Sequence, residues 1–484
     1  MKTDVLILGG GLSAVCAAYE IVQNSSLEVT ILSCGGGASP FVHGFCLPVG
    51  EGDSEALFYE DTVASGYGIG RKNLIRRLCA DSLKLPRWFA HLGLDIDREG
   101  AAPRLIKSLG SSVARIAGIG NNTGPILLRT LKDRLEASGR YKEHRNFRAL
   151  QLLKEHGEVV GVRCYNKDTD SFENLYAGAV ILATGGFGRL FPESTNSSDI
   201  GGDGCAMAHL AGCSLTDMEF IQFEPSAAVW PEALIGKSII TTMFYEGAVL
   251  RGGDGQRFMD ERVGKDLQAK AIAAEIQKGN TTPHGGVWFD ATGVPAHMWE
   301  TIYKPYLNRY LNCGIDMRKE PVEIAPAAHT TCGGVLIDEN CRTGIPGLLA
   351  CGEVTGGLHG ANRLGGNAGL EIMVFGRAAG ITAIEEYKNR EAGPANIVAN
   401  KASAKALQPL RQKLQQLLRM DMGVIRTQQG LQQALTEVEL LLEELNDHEE
   451  SYDSWRLYND TLTARLAVSA ALKRTESLGC HNRK

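Results

Sequence analysis

The residues of this chain best suited to chemistry gather between His329 and Gly380. His329 opens a His-Thr-Thr-Cys-Gly-Gly turn. A short apolar run, Leu348 to Cys351, stops at Gly352-Glu353, and a glycine-rich turn with His359, Asn362 and Arg363 leads into a helix opening at about Asn367. Arg363 is a planar donor fork, charged at any working pH, that suits a carboxylate gripped by two parallel hydrogen bonds. A helix start at Asn367, Ala368 and Gly369 offers free N–H groups and partial positive charge to an anion. Glycines let backbone approach a flat ring closely. Alone, these residues form an ordinary strand–turn–helix with a surface arginine.

The N-terminus supplies a matching half. Asp4 to Leu8 is an apolar strand that runs into Gly9-Gly-Gly11-Leu12-Ser13-Ala14, followed by a helix from Val15 to Val22. This is the dinucleotide fingerprint in its G-x-G-x-x-A form: Gly9 makes the turn, Gly11 lets pyrophosphate approach, and Ala14 lets the helix pack. A second strand, Val29 to Leu32, ends in Ser33 where an acidic ribose ligand is usual. Two nucleotide-grade turns more than 300 residues apart imply one extended cofactor, FAD, rather than a free nicotinamide. A reduced flavin is also an anion, which a helix N-terminus would favour.

Composition agrees with a cofactor enzyme. The 484 residues suggest two to four domains. The 57 glycines exceed the usual ~7%. A net charge of −6 without long charge runs gives no nucleic-acid surface. The 12 cysteines are scattered with no C-x-x-C pair, so neither a metal site nor an iron–sulfur cluster is expected within the chain. They read as small buried apolar residues in a reducing compartment. The first strand begins at once and no apolar run reaches the ~18 residues of a membrane span, so a cytoplasmic location is expected.

The positioning elements follow in order. Cys34 to Pro48 is a glycine-rich loop with Ser39 and His43, placed along the flavin; His43 is either a covalent attachment point or plain loop packing. Leu57 to Gly93 reads as two amphipathic helices, and Pro125 to Ser138 as a helix with proline at its start. Gln151 to Tyr165 reads as a hairpin turning at His156-Gly157, and Ala179 to Ala183 as a buried strand ending in Thr184-Gly185-Gly186. Gln268 to Gln277 reads as a helix and Val287 to Asp290 as a strand. Beyond Ala395, leucines recur at helical spacing in two stretches, with a third helix from Ser454 to Arg474, the signature of a helical bundle core.

These motifs together resemble the succinate dehydrogenase/fumarate reductase flavoprotein family, which includes L-aspartate oxidase. The resemblance covers nearly the whole chain: GGGLSA from Gly9, ATGG from Ala183, GGDGCAMAHLAG from Gly201, FIQFEPSA from Phe220, KDLQAK from Lys265, AAHTTCGGV from Ala327 and HGANRLGGN from His359. It implies an α/β fold: a Rossmann-like FAD-binding domain (1–220 and 341–395), an inserted α+β capping domain (221–340) and a C-terminal helical bundle (396–484). It implies hydride transfer between flavin N5 and a bond next to carboxylates, with Arg363 and His329 at substrate-carboxylate positions and His329 acting as a donor or a cation. It places Asp203 and Glu353 on the cofactor, Glu353 at the ribityl chain, and Ala368-Gly369 under the flavin pyrimidine edge.

Two positions depart from the family pattern. Glu224 replaces the substrate histidine of a His-Pro-Thr turn, and a carboxylate there would repel a dicarboxylate unless protonated or paired with a cation. Phe244 stands where a proton-shuttling arginine belongs, and phenylalanine carries no proton. Tyr245, Glu246 or Arg251 are the substitutes in sequence, Arg251 having as its alternative a structural role in the turn that leads into DGQRFM. Three functions follow as expectations: an FAD-dependent oxidoreductase of the fumarate/succinate type, an amino-acid oxidase of the L-aspartate oxidase type, or an electron-transfer subunit docking on an iron–sulfur partner.

Overall fold

The computed structural model describes residues 2–120, 122–389, 398–399, 407–446 and 450–484. The expected boundary at residue 396 lies outside these residues. A parallel sheet forms the centre. Its strands run in the order Tyr141–His144, Val29–Leu32, Lys2–Leu8 and Ser171–Leu182, with Leu348–Ala350 pairing in parallel on the last three residues of that long strand. Near-continuous Val, Leu and Ile in these strands reflect burial on both faces. The hairpin Phe147–Glu155 and Glu158–Asn166 adds antiparallel strands to the other half of Ser171–Leu182.

Two helices lock the distant glycine turns together. Helix Leu12–Asn24 and helix Asn367–Glu386 cross so closely that a Cβ on Gly376 would fall 2.6 Å from the Ser13 carbonyl oxygen, and one on Gly380 2.4 Å from that of Ala17. Only small residues permit this approach, which sets the two helix N-termini around one cleft. The stretch expected as two helices contains three, Glu55–Ser65, Lys72–Ser82 and Leu85–Leu92. Pro86 tolerates only the first turn of a helix, so it starts a new one.

The cap is a four-stranded antiparallel sheet, Ile221–Ala228, Val322–Thr331, Val287–Asp290 and Val249–Arg251, with its own core around Phe244, Phe289, Tyr303, Tyr310 and Ile324. Helix Lys265–Gln277 packs on the first two strands. The C-terminal helices Gln408–Asp421, Gln428–Asn446 and Tyr452–Lys473 turn Leu414, Leu431, Val438, Leu442 and Leu445 inward. Among the described residues no helix is long and apolar enough to cross a membrane.

Candidate active site

The cleft between the two glycine turns holds about 1080 Å³, including its open mouth, and Gly9, Gly11, Leu12, Ser13, Ser39, Ala183, Thr184, Gly185, Asp203, Glu353 and Ala368 stand on its wall. Gly9 is the tight point. Its φ of +117° belongs to glycine, and a Cβ there would sit 2.1 Å from the Ala183 carbonyl oxygen. The Leu12 N–H donates to Ser39 Oγ at 2.8 Å, tying the loop to the helix start. Ser13 Oγ lies against Gly352 and Thr184 Oγ1 against Gly204, so protein covers both hydroxyls from the open cleft.

Other expected cofactor residues stand behind this wall. Ala14 is fully buried and packs the helix. Ser33 Oγ donates to Glu143 Oε1 at 2.9 Å, and Glu143 is paired with Lys132 at 2.9 Å. The acid missing from the end of the second strand therefore arrives from the neighbouring parallel strand, and the Ser33 hydroxyl is committed to it rather than free for a ribose. Asn367 donates to Thr62 Oγ1 at 3.2 Å, and Gly369 packs against the Gly44 carbonyl. His43 holds Thr123 through its backbone carbonyl and does not line the cleft.

Glu353 joins the cleft to a second cluster. Its Oε1 accepts the Thr331 N–H at 3.0 Å, two residues beyond His329. Burial lifts its pKa to about 7, with Glu371 adding to the rise and Thr331 and Arg363 opposing it. Arg363 is 8% exposed, its Nε has no partner, and among the described residues no acid lies within ion-pair distance of it. Its loop is fixed by fully buried Gln222, whose Nε2 donates to Asn362 Oδ1 at 2.7 Å and to the Arg363 carbonyl at 2.9 Å.

His329 and Glu224 sit on adjacent cap strands. Gln222 pairs with Thr330 and Phe223 with Ala328, so His329 is the extra residue of a β-bulge, the device that re-aims a side chain. Thr195 Oγ1 lies 2.7 Å from His329 Nδ1, and His329 Nε2 lies 3.8 Å from Glu224 Oε2. Burial, then Lys265 and Arg363, push the His329 pKa down to about 3 against the pull of Glu224. These groups hold the ring towards its neutral form, in which one ring nitrogen donates and the other accepts. Glu224 Oε2 takes Lys265 Nζ at 2.5 Å and its Oε1 takes the Ser226 hydroxyl at 2.9 Å.

The FAD binding domain family matches residues 4–368, and the Fumarate reductase flavoprotein C-term family matches residues 411–484. The chain belongs to the succinate dehydrogenase/fumarate reductase flavoprotein family. It is 31% identical to one subunit of the Fumarate reductase (CoM/CoB) of Methanothermobacter marburgensis, over 100% of this chain and 94% of that one. It is 32% identical to the L-aspartate oxidase of Vibrio cholerae, over 99% and 95%. A mutant FrdA of E. coli quinol fumarate reductase superposes with a TM-score of 0.88 at 25% identity, covering 100% of this chain and 91% of that one.

This flavoprotein is an FAD-dependent oxidoreductase, and its cleft fits FAD: a glycine cradle that a Cβ would fill, with a helix N-terminus behind it. The proton-carrying substitutes read from sequence are not supported by the contacts. Phe244 is core, its ring 5.1 Å from that of Phe289. Tyr245 packs beside the same cap cluster. Arg251 Nε is taken by Asp290 at 2.9 Å, which makes it a brace of the cap sheet. Sequence reasoning passed over Lys265 because the helix was expected to start at Gln268. A signal existed: lysine in the first turn runs against the helix dipole, and a buried Glu224 requires a cation.

Proposed function

We propose that this flavoprotein moves hydride between its flavin and a small carboxylate of the fumarate/succinate type. FAD, when bound, supplies two-electron chemistry at N5. The Gly11 turn and the helix start behind it would hold the pyrophosphate, Asp203 the adenosine half, Glu353 the ribityl chain, and the helix start at Ala368 the pyrimidine edge. Arg363 binds a substrate carboxylate through its free fork, neutral His329 donates to a second oxygen, and Lys265 carries the proton to or from the carbon next to the carboxylate. Glu224 aims Lys265 through their ion pair.

One observation carries this reading: a buried guanidinium with no acid at ion-pair distance among the described residues, on the same site as a half-buried lysine and a histidine held towards its neutral form. Such a site calls for an anion. Wild-type protein is expected to reduce fumarate with a reduced dye. Arg363→Ala is expected to keep its yellow flavin and lose roughly 10³-fold in kcat/KM. Full turnover by the variant, or a wild type inert towards every small carboxylate, overturns the proposal.

A second reading, oxidation of an amino acid, is supported by the similarity to L-aspartate oxidase. Peroxide formed from aspartate in air would favour it. Against it stands Glu224, whose charge is already spent on Lys265 and Ser226 instead of awaiting a substrate amine. The Methanothermobacter relative belongs to a multi-subunit enzyme by its name, which supports an iron–sulfur protein as electron partner; co-purification from the native host tests that.

A further inference from the structure

The turn Gly201–Asp203 begins helix Asp203–Ala211 and forms part of the cofactor cleft. It is held from the C-terminal domain. Asn459 Nδ2, on helix Tyr452–Lys473, donates to Asp203 Oδ1 at 3.2 Å. The Gly202 N–H donates to Asp460 Oδ1 at 2.9 Å, and Asp460 Oδ2 takes Arg411 Nη1 at 3.1 Å. The Thr463 hydroxyl donates to the Gly202 carbonyl at 2.7 Å. All three helix residues are buried, and a Cβ on Gly202 would meet Thr463 Cβ at 2.7 Å.

The other oxygen of Asp203 faces Arg148, at the wall of the cleft. Its Oδ2 is taken by Arg148 Nε at 2.9 Å, and Arg148 Nη1 reaches Cys34 Sγ at 3.5 Å and the Asp199 carbonyl at 3.3 Å. Cys34 follows the second sheet strand almost at once, and the C-terminal edge of that strand receives the adenosine ribose in folds of this type. A carboxylate clamped by a guanidinium on one oxygen and an amide on the other cannot rotate, so its spare lone pairs aim at one place before any ligand arrives.

We infer that helix Tyr452–Lys473 sets the adenosine half of the FAD site, with Asn459, Asp460 and Thr463 as positioning residues acting through Gly202 and Asp203. The C-terminal domain is then a working part of the cofactor site and not only a flank to it. A satisfied buried network of this kind rigidifies what it touches.

The test titrates full-length apoprotein with FAD, read by quenching of flavin fluorescence, alongside apoprotein melting curves. Asp460→Ala and Asn459→Asp each remove one clamp and are expected to weaken FAD binding roughly tenfold. Asp460→Asn keeps an oxygen for the Gly202 N–H but turns an NH2 towards Arg411, and is expected to weaken FAD binding less than Asp460→Ala does. Unchanged affinity in both disruptive variants overturns the inference, as does an Asp460→Asn protein that falls as far as Asp460→Ala. Should Asp460→Ala not fold, Thr463→Val, which keeps shape and loses one hydrogen bond, is expected to weaken FAD several-fold, and unaltered binding there overturns the inference equally.

Discussion

Lys265 Nζ lies 2.5 Å from Glu224 Oε2, across 41 residues of sequence and from a helix start to a cap strand. Glu224 alone would repel an anionic substrate. Paired, it becomes the counter-ion that keeps a proton-bearing amine in the site. Burial by itself would raise the Glu224 pKa, but Lys265 first and the Ser226 hydroxyl with it outweigh it and hold the carboxyl below its ordinary range.

Lys265→Met should therefore act twice. Catalysis is expected to fall roughly 10²–10⁴-fold with flavin retained. Stability is expected to fall by about 3–5 kcal/mol at neutral pH, because one partner of a buried pair is left charged and alone. A carboxyl with a depressed folded pKa adds stability above its unfolded value, about 4.3, and loses it as pH falls through the folded one. The deficit of the variant should accordingly shrink in urea melts at low pH; an equal deficit at both ends would contradict the pairing.

His329 should stay neutral through the working range. Its pKa of about 3 stems first from burial and then from Lys265 and Arg363. The unfolded chain takes up this proton first, near 6.5, so the histidine's contribution to stability declines as pH drops below that value. Ring signals of His329 in NMR are expected to show no titration between pH 5 and 8, and a midpoint near 6.5 would refute the neutral donor.

Glu353 makes the opposite prediction. Its carboxyl holds a proton up to about 7 because of burial, with Glu371 beside it. The unfolded chain ionises from about 4.3 upward, so apoprotein stability should decline as pH rises through that window and level off beyond it. Glu353→Gln is expected to flatten the window in apoprotein urea melts. A slope unchanged by the substitution would assign it to other groups.

Gly9→Ala should give colourless protein. The left-handed φ would cost an alanine about 1–3 kcal/mol, and its Cβ would meet the Ala183 carbonyl oxygen at 2.1 Å, on the very wall where the cofactor lies. Flavin content after purification and after reconstitution with FAD measures this; full flavin occupancy would show that the turn can open.

What the sequence made legible was local. The Gly9 to Ala14 turn, the Gly-Glu strand end at Gly352-Glu353 and the Arg363 loop are contiguous, and their chemistry follows from order and spacing. The three-part architecture followed from the family resemblance. Pairings between distant stretches were not legible: Glu143 reaches Ser33 over 110 residues, and Asn459 reaches Asp203 over 256. Lys265 was visible as a letter in a motif, yet its meaning lies in Glu224, and no periodicity links a helix start to a strand behind it. Arg251 failed as a proton carrier for the same reason, since Asp290, 39 residues away, already claims it.

The strands Ile221–Ala228 and Val322–Thr331 are both the stalk of the capping insert and the bearers of Glu224 and His329. A lineage exchanging this insert by recombination would necessarily trade reactive side chains with it, while the glycine cradle passed on untouched. The seam runs through two adjacent strands, with Arg363 on the cradle's side of it and Glu224, Lys265 and His329 on the other.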